Sequence, residues 1–196
     1  MSDKKALIIM DFINEIVHPD GKFKGKGYAD FATRHDTLAK VNRAVAAARE
    51  RDIKVVYVKL GFSPDYSEQL KNSPLFGTAH KFQALKLGDW ATEFHESLVI
   101  ADTDQVIIKH RISPFCGTKL DLYLRNMGIT GVLLCGVATD LVVQSAARDA
   151  HDHGYNVTVI ADCCAAGSDD DHNYAIQDLK KIAHVTDVND IATEHA

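Results

Sequence analysis

Cysteine, proline and tryptophan are scarce in this 196-residue chain, at four, four and one. Cys116, Cys135, Cys163 and Cys164 have neither the density of a disulfide scaffold nor the spacing of zinc ligands. They read as thiols in a reducing compartment, and a cytoplasmic location is expected. No apolar run approaches the about 18 residues of a membrane span, so no membrane partner is expected. The first apolar run, Ala6 to Met10, is too short for a signal-peptide core, and export is not expected. Positive charge is in deficit: 22 Lys and Arg against 27 Asp and Glu leave a net charge of −5. That balance argues against nucleic acid or an anionic surface as partner. Repeats, linkers and low-complexity segments are missing too, and the length suits one domain over residues 1–196.

What the chain does contain is short apolar runs alternating with helical periodicity. Ala6–Met10 is apolar throughout, as a strand buried on both faces must be, and it ends at Asp11. His18–Tyr28, HPDGKFKGKGY, reads as a solvated loop; its lysines and glycines lack P-loop spacing. Thr33 with Asp36 suits a capping box for a helix carrying Leu38, Val41, Val45 and Ala48, which the charged run Arg49–Asp52 ends. Ile53–Val58 is a second strand and Asp104–Lys109 a third. Thr118 caps a helix that Gly128 stops. Asn156–Ile160 is a fifth strand; Ser168 caps a helix whose first turn holds Asp169, Asp170 and Asp171; His184–Val188 is a sixth, and the remainder frays. The alternation predicts an α/β fold in three layers, a doubly wound, mostly parallel six-stranded sheet with helices on both faces.

The centre of this pattern is Gly131–Gly154. Val132-Leu133-Leu134-Cys135 is a buried strand, Gly136-Val137-Ala138 a sharp break, and Thr139 the cap of a helix bearing Leu141, Val142, Val143, Ala146, Ala147 and Ala150. Strand, turn and helix start would aim free N–H groups and the positive end of the helix dipole at the carboxyl edge of the sheet, where an oxyanion is stabilised.

Gly136-Val137-Ala138-Thr139-Asp140 followed by two apolar residues resembles the signature turn of the isochorismatase-like hydrolases, the cysteine hydrolase superfamily of isochorismatases, nicotinamidases and N-carbamoylsarcosine amidases. Asp11-Phe12-Ile13-Asn14-Glu15 resembles the family's D-x-Q-N-D, with Ile13 for Gln, and Lys109–Phe115 resembles K-x-R-Y-S-A-F, with Ile112 for Tyr and Pro114 for Ala. The resemblance implies that Asp11 is a general acid or base and Lys109 the catalytic lysine. It also implies a pocket lined by Phe12, Asn14, Phe115, Val137, Ala138, Thr139 and Val142, and a homo-oligomer, dimer or tetramer. Amidases of the family carry a nucleophilic cysteine three residues after the Thr of the turn; that position here is Val142. Nicotinamidases place a metal-binding Asp-x-His after the second strand, whereas Lys59–Asp65 contains no His, so neither a metal nor a cofactor is implied.

Valine has no nucleophilic atom, so an acyl-enzyme at residue 142 is excluded by chemistry. The leading expectation is a hydrolase of a small molecule that needs no protein nucleophile. Isochorismatases are the precedent: an aspartate protonates a vinyl ether and water adds to the cation, or the aspartate activates the water. A nucleophile moved to Cys116 and a binding or regulatory protein without catalysis are the alternatives. Residues 61–104 lack a period; a short helix is expected near Leu70 or Ala84, and a segment of this kind is expected to wall the pocket and meet a neighbouring subunit.

Overall fold

The computed structural model describes residues 4–193. Six strands form one sheet, β1 (Lys5–Met10), β2 (Lys54–Leu60), β3 (Gln105–Lys109), β4 (Gly131–Gly136), β5 (Asn156–Ile160) and β6 (His184–Thr186). Their order is β3-β2-β1-β4-β5-β6, and every neighbouring pair is parallel. Burial follows the order. Ala6–Met10 of β1 and all of β4 are buried, as strands covered on both faces must be, while the edge strands β3 and β6 have exposed or half-buried positions.

The chain winds outward from β1 to β2 and β3, then returns to pair β4 against the other side of β1. Right-handed crossovers in two opposite directions put the helices on opposite faces. Helix α3 (Thr37–Glu50) packs on β1 and β2 and against α7 (Val188–Thr193). Helix α5 (Gln144–Asp152) packs on β4 and β5 and against α6 (Asp169–Leu179). The winding reverses between β1 and β4, and a parallel sheet opens a crevice at its carboxyl edge at such a point. Backbone contact there is close: a Cβ on Gly136 would lie 2.8 Å from the Met10 carbonyl oxygen.

Several local expectations are corrected. A helix α2 (Tyr28–Arg34) begins inside the stretch read as loop, after α1 (Asn14–Val17). Thr33 is its penultimate residue, and its hydroxyl donates back to the Ala29 carbonyl (2.9 Å), so it caps nothing. Asp36 instead precedes α3 in a left-handed conformation, with no side-chain cap bond. Strand β2 runs on to Leu60, and β6 stops at Thr186. Residues 188–193, expected to fray, form α7, which is held because Val188 and Ile191 are buried. Thr118 does accept the Leu120 N–H (3.0 Å) ahead of α4 (Leu120–Asn126), and Ser168 accepts the Asp171 N–H at the start of α6.

Residues 61–104 contain two 3-10 turns, Ala79–Phe82 and Trp90–Thr92, and only turns around Leu70. What fixes this excursion is Glu15, whose side chain is 1% exposed. Its carboxylate accepts the Leu85 N–H (2.9 Å) and the Lys22 N–H (3.3 Å), with the Lys22 ammonium 3.7 Å away. Charge-assisted bonds in a dry setting are the stronger kind.

Two stability predictions follow from this packing. Glu15→Ala leaves the Leu85 N–H buried without an acceptor and lowers unfolding free energy by about 2–3 kcal/mol, read from urea denaturation. Gly136→Ala drives β1 and β4 apart and costs about 1–3 kcal/mol in the same assay; an unchanged midpoint would contradict the contact.

Candidate active site

The strands deliver three groups to the crevice. Asp11 is the first residue past β1 and has φ +63°, which ends the strand's alternation. Its N–H remains tied to the Val58 carbonyl of β2 (2.9 Å), so the backbone is held while the side chain turns to the sheet edge. Lys109 is the last residue of β3, two strands away. The Lys109 ammonium reaches past β2 to meet Asp11 Oδ2 at 2.7 Å, and the two side chains are 1% and 4% exposed. Lys109 Nζ also donates to the carbonyls of Arg111 (3.0 Å) and Ile112 (2.9 Å). Its three hydrogens are therefore all engaged. Asp11 Oδ1 is buried and has no hydrogen-bond partner among the described residues. Burial pushes the Asp11 carboxyl above the ordinary aspartate range, opposed by the charge and hydrogen bond of Lys109.

The third group is the turn after β4. The Val137–Ala138 peptide is cis. The Val137 N–H donates to the Met10 carbonyl (3.1 Å), and the Ala165 N–H donates to that of Gly136 (3.1 Å). The small residues 163–167 lie against the turn, which accounts for Cys163 and Cys164 as buried packing groups. Thr139 is completely buried. Its hydroxyl donates to the Ala165 carbonyl (3.0 Å) and meets His172 Nδ1 (2.9 Å), so it braces the turn instead of capping a helix. Residues Thr139–Val143 form one π-helical turn leading into α5. The N–H groups of Thr139, Leu141 and Val143 are bonded to the carbonyls of Ala165 and Ala138, so most of the donors expected to be free for an oxyanion are engaged.

Asp11 and Lys109 lie at the base of a cavity of about 180 Å³. Its wall is mainly apolar: Leu60 from β2, Ile112 after β3, Val137, Ala138, Leu141 and Val142 from the turn, and Ile16, Phe23 and Tyr28 from the segment after β1. Pro74, Leu75 and Phe76 of the excursion close one side, and Lys26 stands at the rim. Of the residues expected in the pocket, Val137, Ala138 and Val142 line it, and Phe12, Asn14, Phe115 and Thr139 do not. Phe12 is wholly buried after the break at Asp11, and its carbonyl accepts the His95 N–H. Asn14 is turned to the Trp90 carbonyl (3.0 Å). Phe115 stacks on His153 at a centroid distance of 5.4 Å. Pro74, Leu75 and Phe76 belong to the excursion expected to wall the pocket, whereas Lys26 and Tyr28 lie in the stretch read as a solvated loop, where nothing in the local pattern ties them to Asp11.

None of the four cysteines lines this cavity. Cys116 is exposed and lines a separate depression beside Arg111, Ser113 and Asp149. Burial raises the thiols of Cys135, Cys163 and Cys164, which keeps them protonated and unreactive. Among the described residues no group of three or more His, Cys, Asp or Glu is placed to hold a metal ion, and no helix is long and apolar enough to cross a membrane.

Comparison with known proteins agrees with this geometry. The family model for the isochorismatase domain matches residues 5–190. An uncharacterized isochorismatase family protein from Escherichia coli O157:H7, YecD, is 32% identical over 160 residues, covering 81% of this chain and 83% of that protein. The ureidoacrylate amidohydrolase RutB of Methylorubrum extorquens AM1 is 32% identical over 175 residues, covering 82% of this chain and 69% of that protein. The structure of an isochorismatase family protein from Burkholderia thailandensis superposes with a TM-score of 0.80 at 29% identity, covering 98% of this chain and 95% of that one. A match over nearly the whole chain, reached independently by sequence and by fold, places this protein in the isochorismatase family of hydrolases.

Proposed function

We propose that the protein is a small-molecule hydrolase that works without a cysteine nucleophile, with Asp11 as the proton-transferring group. The observation that carries this reading is the asymmetry of the Asp11 carboxyl. Asp11 lines the cavity; its Oδ2 is held by the Lys109 ammonium at 2.7 Å, and its Oδ1 is buried with no hydrogen-bond partner among the described residues. A carboxyl kept above its ordinary pKa by burial retains its proton at higher pH, and the oxygen not taken by Lys109 is the one free to carry it. Val142, which the turn's resemblance puts at the position of the family's cysteine, lines the cavity, and its side chain ends in methyl groups.

The chemistry then follows isochorismatase practice. Asp11 gives its proton to a vinyl carbon of the substrate, water adds to the resulting oxocarbenium carbon, and the hemiketal collapses to a ketone and an alcohol. The proton lost by the added water restores the carboxyl. Lys109 stabilises the carboxylate present between the two transfers. The named activity of the RutB relative supports a second reading, amide hydrolysis by a water that Asp11 deprotonates. In that case the ionised carboxylate is the active form.

The pH profile separates the two. With the pKa raised above 3.8, a general acid works below that raised value, and kcat/KM falls as pH increases through it. A general base gives the opposite limb, with kcat/KM rising over the same interval. The direct test is a hydrolysis screen covering isochorismate, ureidoacrylate, nicotinamide and small N-carbamoyl compounds, with Asp11→Asn and Cys116→Ser beside the wild type. Asp11→Asn is expected to lower kcat/KM by about 10²–10⁴ with an unchanged circular dichroism spectrum. Cys116→Ser is expected to match the wild type. Turnover that survives Asp11→Asn, or is lost in Cys116→Ser, would refute the proposal.

A further inference from the structure

The substrate class follows from a division of labour between two lysines, given the catalytic role proposed for Asp11. Two ammonium groups belong to the cavity, those of Lys109 and Lys26. Lys109 is bonded to Asp11 Oδ2, and its remaining hydrogens are held by two carbonyls, so no donor is left over. It has nothing left to offer a ligand. Lys26 is different: its side chain has no hydrogen bond or ion pair among the described residues. By contrast, Lys22, the first lysine of the same loop, is engaged with Glu15 and the Gln83 carbonyl (2.5 Å). Burial, and after it the charges of Asp140 and Asp171, raise the Tyr28 hydroxyl, and Asp171 is bonded to Ser168 (2.7 Å).

The backbone under Lys26 is pinned. Gly27 has φ +84°, and a Cβ there would fall 2.1 Å from the Gly167 carbonyl oxygen. A Cβ on Gly167 would in turn fall 2.9 Å from the Lys26 carbonyl oxygen. Two glycines thus let the Lys26–Gly27 peptide press against the segment that also braces the catalytic turn. The backbone that carries Lys26 is therefore fixed at the rim, and its exposed side chain starts from a packed turn, not a free loop, which explains a Gly- and Lys-rich stretch that has no phosphate-loop spacing.

We propose that Lys26 is the anion-recognising group of the site, and that the substrate is a small monoanion: an apolar or planar body with one carboxylate that meets Lys26 while the reacting atom meets the Asp11 carboxyl. One free ammonium matches one carboxylate; a phosphate dianion calls for several converging donors, which this cavity does not supply. The apolar wall accommodates the body, and about 180 Å³ is room for roughly six water volumes, which sets a compact molecule.

The test uses benzoate, a planar monoanion, against benzamide, its neutral counterpart, by isothermal titration with wild type, Lys26→Met and Lys26→Arg. Benzoate is expected to bind the wild type about tenfold tighter than benzamide. Lys26→Met is expected to erase that preference by weakening benzoate alone, and Lys26→Arg to keep most of it. Equal binding of the two ligands by the wild type, binding of neither, or benzoate binding by Lys26→Met at wild-type strength overturns the proposal. The readout is affinity, so the outcome is independent of turnover, and a failure of the catalytic reading shows separately in Asp11→Asn.

Discussion

The ion pair between Asp11 and Lys109 is the constraint around which the crevice is built. The two residues end strands that are not neighbours: β2 lies between them, a separation of about 10 Å at ordinary strand spacing. Only a side chain as long as lysine spans that gap to meet a short aspartate. Such a pair taken out of water is costly, and the attraction compensates only when the remaining hydrogens are satisfied. Here the chain after β3 folds back so that the carbonyls of Arg111 and Ile112 take the other two. The loop after β3 is therefore shaped by the needs of the ammonium, and Ile112 enters the cavity wall as a consequence.

The compensation stops at one atom. Asp11 Oδ1 is left buried without a partner, a defect by the rules of packing. On the catalytic role we propose for Asp11, the same defect beside a cavity is the reactive centre. The apolar wall that makes the oxygen costly also raises the carboxyl's pKa, so solvation, packing and proton affinity are one effect seen three ways. Val142 belongs to this logic. A thiol at that place would bring its own nucleophile; a valine keeps the wall apolar and leaves the carboxyl as the polar centre of the chemistry.

The strands were legible in the sequence because a strand covered on both faces must be a continuous apolar run, and Ala6–Met10 and Val132–Cys135 are such runs. Asp11 and Lys109 were legible because each directly follows or ends such a run at the carboxyl edge. The local caps were less so. Thr33 and Thr139 have the residue type of a cap, yet each hydroxyl is taken by a backbone carbonyl, four residues back for Thr33 and across to Ala165 for Thr139. Residue type states what a side chain can bond, and the fold decides which partner arrives first. Phe12, Asn14 and Phe115 show the same limit, since their neighbours in sequence are at the site but the break at Asp11 and the turn after Ile112 send them elsewhere.

That the excursion walls the cavity was legible from its length without a period, but which of its residues do so, and which lysine reaches the rim, had no sequence signal, for a physical reason. Periodicity reports a residue's relation to its own element, and these residues belong to segments held by distant contacts. The excursion is fastened by Glu15, 70 positions from Leu85, and the Lys26 turn by Gly167 on the far half of the chain. A catalytic group must be placed relative to the sheet, so it is found at a strand end. Groups that select a ligand need only reach the rim, and they can come from any loop that the fold brings there. On the roles proposed here, the chemistry lies at the carboxyl ends of β1, β3 and β4, and selectivity lies in the two long connections after β1 and β2. A change of ligand is then a change at positions such as Lys26 or Leu75, made without disturbing the pair of Asp11 and Lys109.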